Sequence, residues 1–271
     1  MSIWSSSLLE AEPVEAFFRA LFAAPAPTAL IVSSDPADFA RTVLPFELDA
    51  QQAEVLRSPA KYIALCCHRQ WGKSQMAALK ATHLAISQPG AQIIIVAPSL
   101  RQSGALLRSV HQFLARIDSP MKPDGLNRLS IVLPNGSRIV AVPNNGDTIR
   151  GFSGVNLLII DEAAFITDET YRAVFPFLAA SHGNLLLLST PSGQSGFFYQ
   201  AMHVPENGFN TFRIRASESQ RLSADLLEMA RLELGDAYAQ EFECEFAMGA
   251  EQMFDRSLID QALDPVLVAF R

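Results

Sequence analysis

Four short apolar runs limit what this chain can become. Residues 62–66, 92–97, 157–160 and 185–188 are nearly unbroken stretches of Ile, Leu, Val, Ala and Cys. Runs of this length without polar alternation fit strands covered on both faces. Stretches with helical spacing, 74–87, 100–117 and 169–179, separate them. Apolar strands alternating with helices specify an α/β fold with a mainly parallel central sheet between helical layers. In such sheets, ligands bind beyond the carboxyl ends of the strands. Residues 209–214 read as a fifth strand. Residues 129–133 and 138–142 read as a hairpin about Asn135-Gly136. Helices are expected over 8–24, 49–57 and much of 222–247, and a short strand over 28–32.

With 271 residues, 49% of them hydrophobic, the chain can bury one large core, with or without a small appendage. The net charge of −7 does not favour nucleic acid, so such a partner would need a local basic face. The three cysteines, Cys66, Cys67 and Cys244, are odd in number, two are adjacent, and no Cys-x-x-Cys occurs. That pattern argues against a disulfide framework or zinc site and fits a reducing compartment. The early acids Glu10, Glu12 and Glu15 argue against a signal peptide. The apolar stretch 20–32 is broken by Pro25 and Pro27 and is too short to span a bilayer. No His-Glu-x-x-His occurs, which removes the support for metallopeptidase chemistry.

Three of the turns after apolar runs carry chemistry. Cys67-His68-Arg69-Gln70-Trp71-Gly72-Lys73-Ser74 ends in the Gly-Lys-Ser of a phosphate-binding loop, with Cys67 where the usual first glycine stands. Gly72 lets backbone N–H groups approach phosphate, Lys73 neutralises β/γ-phosphate charge, and the Ser74 hydroxyl suits Mg²⁺. Asp161-Glu162 follows the third run. Asp161 would hold Mg²⁺ through water, and Glu162 would orient and deprotonate an attacking water. Ser189-Thr190 follows the fourth run. A phosphate cradle, a lysine, a metal ligand and a base together point to ATP hydrolysis with Mg²⁺. Trp71 reads as packing on the loop, with help to the purine as the alternative. Arg101, Gln102 and Arg108, beyond the second run, read as contacts to DNA or a neighbour, or as a solvated helix face.

The segment from His68 to Ser74 resembles the deviant phosphate loop of viral terminase large subunits. That family places an arginine three residues before the glycine and tolerates loss of the first glycine. Arg150-Gly151-Phe152-Ser153-Gly154, running into 157–164, is similar to the family's Arg-Gly segment before its Asp-Glu-Ala-Ala strand end. Ser189-Thr190-Pro191 resembles its coupling motif. Gln240-Glu241-Phe242-Glu243-Cys244-Glu245-Phe246 looks like the end of its ATPase domain.

The resemblance implies a P-loop NTPase fold of the ASCE type, a three-layer sandwich, in the motor that drives double-stranded DNA into a procapsid. Implied partners are DNA, a portal protein and a small terminase subunit. The implied assembly is a homo-oligomeric ring, a pentamer by resemblance, without membrane attachment, in the host cytoplasm. The resemblance also assigns roles. Arg69 and Gln70 would contact phosphate, with Arg69 responding to the γ-phosphate. Gln51 or Gln52 would read adenine. Ser189 and Thr190 would couple nucleotide state to motion. Arg150 would reach a neighbouring subunit's γ-phosphate as a trans arginine finger. The domain reading is an N-terminal helical extension over 1–45, the ATPase domain over 46–250, and a linker over 251–271 toward a nuclease domain that this chain has no room for. The competing readings are a superfamily 2 helicase-like ATPase fragment and a catalytically inactive ring-forming DNA-binding module.

Overall fold

The computed structural model describes residues 33–44, 47–124, 127–144, 149, 151–219 and 222–247. The apolar runs form the middle of one eight-stranded sheet. In chain order the elements are α1 (Pro36–Val43), α2 (Ala50–Arg57), β1 (Tyr62–Cys67), α3 (Lys73–Ser87), β2 (Gln92–Ala97) and α4 (Leu100–Arg116). Then come β3 (Lys122–Asp124), β4 (Asn127–Val132), β5 (Arg138–Pro143), β6 (Leu157–Asp161), α5 (Asp168–Val174) and β7 (Asn184–Ser189). The last are α6 (Gly196–His203), β8 (Phe209–Ile214), α7 (Ala224–Leu234) and α8 (Ala237–Glu243). The strand order is β3-β4-β5-β2-β6-β7-β1-β8. From β5 to β8 every pairing is parallel, and β3–β4 and β4–β5 are antiparallel.

The expected hairpin forms as β4–β5, and β5 also pairs in parallel with β2. The hairpin therefore extends the main sheet. Its Asn135-Gly136 turn also closes the end of α3. The Asn135 side-chain amide donates to the Ala85 carbonyl at 2.8 Å, and the Ser137 hydroxyl donates to that of Gln88 at 2.9 Å. These bonds satisfy carbonyls that the helix end leaves open. Strand β3 is not visible in the sequence, because three residues around Pro123 carry no periodic signal. The helix expected over 169–179 gives way at Val174 to a 3₁₀ turn, Phe175–Leu178, because Pro176 has no N–H to continue it. The helix expected over 8–24, the strand over 28–32 and the segment 251–271 lie outside the described residues.

Register sets the geometry that matters. Cys66 of β1 pairs with Ser189 of β7, and Asp161 of β6 pairs with Leu188 of β7. Val96 of β2 pairs with Ile160. The carboxyl ends of β1, β7, β6 and β2 are thus level and side by side. Every residue of β6 is buried, and each fully buried Leu or Ile contributes about 1.5–3 kcal/mol. That anchors the strand that ends in the two acids.

Helix α1 joins the same body. Asp35 caps it by accepting from the Ala37 N–H at 2.8 Å. The buried Phe39 ring meets His83 of α3 at 5.4 Å, and Arg116 of α4 donates to the Val43 carbonyl at 2.7 Å. Cys66, Cys67 and Cys244 are free thiols in the interior. Among the described residues, no helix is long and apolar enough to cross a membrane.

Candidate active site

The loop between β1 and α3 is shaped by two left-handed backbone positions, Gln70 at φ 64° and Gly72 at φ 100°. A Cβ on Gly72 would also sit 3.4 Å from Gln52 Nε2, so glycine suits the position twice over. Cys67, in place of the usual first glycine, is the last residue of β1, buried and paired with Ile214 of β8. Its backbone is ordinary strand, so no glycine is required there. Burial pushes its thiol pKa up, which keeps it neutral.

Helix α3 starts without a side-chain cap at Gly72. By contrast, Asp35, Asp49, Ser99, Thr167 and Ser223 cap α1, α2, α4, α5 and α7. The open first turn of α3 faces a cleft of ≈ 610 Å³. Uncapped N–H groups and the helix dipole at that point favour an anion. Arg69, Gln70, Lys73, Pro98, Gln102, Glu162, Phe165 and Thr190 line the cleft.

The two acids diverge because Glu162 takes a left-handed conformation, φ 52° and ψ 46°, which costs a non-glycine residue about 1–2 kcal/mol. Asp161 turns toward α3, where its Oδ2 accepts from the Ser74 hydroxyl at 3.0 Å and its Oδ1 from the Glu162 N–H at 3.1 Å. Glu162 turns into the cleft, where its Oε1 meets Lys73 Nζ at 3.1 Å and its Oε2 accepts from the Ser189 hydroxyl at 3.4 Å. Ser189 in turn accepts from the Ala164 N–H at 3.2 Å. Burial raises the Asp161 pKa to about 6, and the Glu162 charge adds to that; Lys73 and the Ser74 bond pull the other way. Burial opposes the charge on Lys73, but the neighbouring acidic groups outweigh it and hold its pKa above the ordinary lysine value. Lys73 is therefore a firm cation.

Arg69 is held by α8. Its N–H donates to the Glu241 carbonyl at 3.0 Å, and its guanidinium grips the Glu241 carboxylate through Nε at 2.5 Å and Nη2 at 3.1 Å. Arg69 remains 64% exposed, so solvent screens this pair.

The structure therefore brings Arg69, Gln70, Gly72, Lys73, Ser74, Asp161, Glu162, Ser189 and Thr190 to one rim of the sheet. Three other expected residues have different settings. Trp71 is wholly buried, in keeping with its reading as packing on the loop. Gln52, a candidate for reading adenine, is buried beneath the loop with both ends of its amide engaged. Its Nε2 donates to the Trp71 carbonyl at 3.0 Å, and its Oε1 accepts from the Asp49 N–H at 3.3 Å. It braces the loop. Gln51, the other candidate, is half-buried beside it on α2. Arg150 lies outside the described residues. Sequence reasoning missed Glu241 and Phe165 and gave Gln102 a different setting. Gln102 could have been found from its place just beyond the carboxyl end of β2. Glu241 stands 172 residues from Arg69 and carries no local signal.

Ser74 and Asp161 offer a hydroxyl and a carboxylate, hard oxygen donors that suit Mg²⁺. The raised pKa of buried Asp161 is a further reason to expect a cation there, since a positive charge would relieve it.

A parallel sheet with a phosphate loop after β1, and acids at the end of a strand one place removed from it, defines a P-loop nucleoside triphosphatase fold. Within that class, residues 68–261 match the family model described as terminase large subunit, T4-like-virus type, N-terminal, and the chain belongs to that family. The large terminase subunit of Thermus phage G20c is 28% identical over 183 residues, covering 60% of this chain and 38% of that one. The Thermus phage P74-26 large terminase ATPase domain superposes with a TM-score of 0.69 at 23% identity, covering 78% of this chain and 98% of that one. The large terminase of another thermophilic bacteriophage, solved in complex with ADP, gives a TM-score of 0.60 at 15% identity, covering 77% and 56%. The chain spans under half the length of the curated relatives it matches.

Proposed function

We propose that this chain is the ATP-hydrolysing motor domain of a terminase large subunit, which drives double-stranded DNA into a procapsid. One observation carries the reading: Lys73 meets Glu162 at 3.1 Å while Ser74 meets Asp161 at 3.0 Å, side by side below an open helix terminus. The ADP complex of the thermophilic-phage large terminase supports it.

In this reading the triphosphate lies along the first turn of α3, and Lys73 leaves Glu162 for the β/γ-phosphates. Glu162 is then free to take the proton of a water that attacks the γ-phosphorus as the bond to the β-bridging oxygen breaks. Ser74 and Asp161 would hold Mg²⁺, which would neutralise charge on the phosphates when bound. Ser189 holds the far oxygen of Glu162 and, with Thr190 at the cleft edge, relays the state of the base to β7. Arg69 exchanges Glu241 for phosphate. Arg150 acts in trans on a neighbouring subunit; partial rescue in mixtures of Arg150→Ala and Glu162→Gln subunits would support that assignment.

A local excess of positive charge supports DNA as a partner. Residues 98–143 carry a net +4, which leaves −11 for the rest of a −7 chain. Arg101 and Arg108 on α4, with Lys122 and Arg128, are exposed and form no ion pair among the described residues. The portal, the small terminase subunit, a pentameric ring, a location at the procapsid in the host cytoplasm, and a nuclease activity in the full-length protein follow from family membership and belong to the same proposal.

The deciding experiment measures nucleotide binding and turnover for the wild type, Lys73→Ala and Glu162→Gln. Lys73→Ala should lose affinity at least tenfold. Glu162→Gln should keep affinity and lose ~10²–10⁴ in turnover. If the wild type binds no nucleotide, or if neither substitution changes anything, the reading fails.

A further inference from the structure

We propose that Gln102 is a γ-phosphate donor, a residue through which this cleft tells ATP from ADP. The inference rests on the reading above that the cleft takes ATP, and it adds a contact that neither the motifs nor the comparisons assign.

The argument starts from position. Val96 pairs with Ile160, so the chain leaves β2 alongside Asp161 and Glu162. Gln102, in the first turn of α4, lines the same cleft as Glu162, Lys73, Arg69, Pro98 and Phe165. A base that activates water must face the terminal phosphate, so the end of the cleft near Glu162 is the γ end. β2 lies on the far side of β6 from β7 and β1. Gln102 therefore approaches the terminal phosphate from the side opposite the phosphate loop.

Chemistry fixes which end of the amide is on offer. The Ser99 hydroxyl donates to Gln102 Oε1 at 2.6 Å and accepts from the Gln102 backbone N–H at 3.3 Å. The amide oxygen is thereby committed. Among the described residues no acceptor is bonded to Nε2, so both of its hydrogens remain to be given. A side chain that can only donate fits an oxyanion and not the proton of a water, and the γ-phosphate oxygens are acceptors only. Being neutral, Gln102 can stand beside Glu162 without competing with Lys73 for its charge. ADP has no group at that end. The contact therefore contributes to ATP binding and stays idle with ADP.

A purely structural role makes a different prediction. The Ser99–Gln102 pair also caps α4, and loss of a cap would lower stability while leaving the ratio of ATP to ADP affinity untouched.

The test measures affinity for ADP and for the β,γ-imido analogue of ATP, together with melting temperature and steady-state turnover. It uses the wild type, Gln102→Ala, Ser99→Ala and Lys73→Ala. Gln102→Ala should weaken the imido analogue on the order of tenfold, leave ADP within about twofold, and lower kcat. Ser99→Ala frees the amide to turn and should move the same ratio in the same direction by less, which keeps the proposal testable if Gln102→Ala folds poorly. Equal weakening of ADP and the analogue, or an unchanged ratio in both variants while Lys73→Ala loses both ligands, overturns the inference and leaves the ATPase reading standing. If Lys73→Ala loses neither ligand, both fall.

Discussion

Replacing Asp161 by Asn should make the nucleotide-free protein more stable while disabling it. The carboxyl is 5% exposed and its pKa is pushed up from 3.8 to about 6, first by burial and then by Glu162. Because the folded value lies above the unfolded one, the folded state keeps a proton through that window that the unfolded chain has lost. Stability therefore falls as pH rises from 3.8 to about 6, and the deficit is complete above that. At 1.36 kcal/mol per unit, a rise of roughly two units costs about 3 kcal/mol at pH 7.5. Asparagine imitates the protonated acid. Its Oδ1 can accept from the Glu162 N–H, and its Nδ2 can donate to Ser74 once that hydroxyl rotates. The variant should match the wild type near pH 4 and exceed it by about 2–3 kcal/mol at pH 7.5, a rise in melting temperature of about 4–12 °C for a domain of this size. Urea unfolding without nucleotide or divalent cation, at both pH values, measures the difference. A variant no more stable than the wild type at pH 7.5, or a gap that does not shrink toward pH 4, would refute the view that an ionised, poorly solvated carboxylate is held in the resting site.

Three further outcomes follow from the geometry. Glu241→Gln weakens the grip on Arg69, so nucleotide should bind a few-fold tighter in a fluorescent-nucleotide titration; the effect is small because Arg69 is exposed, and weaker binding would show instead that Glu241 shapes the loop. Gly183→Ala would bring a Cβ within 2.0 Å of the Val155 carbonyl oxygen and 3.0 Å of Leu178, so urea unfolding should register a loss of about 3 kcal/mol or more, and near-native stability would mean that this backbone gives way. Arg101→Ala and Arg108→Ala should each lower the slope of log affinity for double-stranded DNA against log salt by about 0.9 if each neutralises one phosphate; an unchanged slope would move the DNA contact elsewhere.

The central strands are legible because burial on both faces writes itself as an unbroken apolar run. Three strand ends are legible as a site because phosphate and metal chemistry need particular residue types at a turn. What stays hidden is non-local. The Glu241 grip on Arg69 depends on how α8 returns to the loop. Gln52 looks on paper like either of two polar residues on a helix, and only its bonds to Trp71 and Asp49 reveal a brace. Gln102 looks like part of a solvated face because it is a polar residue next to Arg101, and the sequence says nothing about which turn meets a cleft. Trp71 packs as its bulk and apolar ring imply, and its complete burial shows why a large residue is tolerated beside Gly72.

Three of the groups assigned to nucleotide already have a partner of the matching chemistry: Lys73 a carboxylate, Arg69 a carboxylate forked like a phosphate, and Ser74 the acid beside which a metal would sit. Nucleotide must exchange these partners, and each exchange reports to a different element. Lys73 releases Glu162, which Ser189 ties to β7. Arg69 releases Glu241, which belongs to α8. Gln102 draws on α4, whose outer face carries Arg101 and Arg108. A triphosphate can therefore bias three elements at once, while a diphosphate leaves α4 alone. If that is how binding becomes movement, Gln102→Ala should uncouple DNA affinity from nucleotide state. The wild type would hold DNA differently with ADP and with the imido analogue, and the variant would hold it alike with both. A variant that keeps the difference would place the link to DNA outside α4.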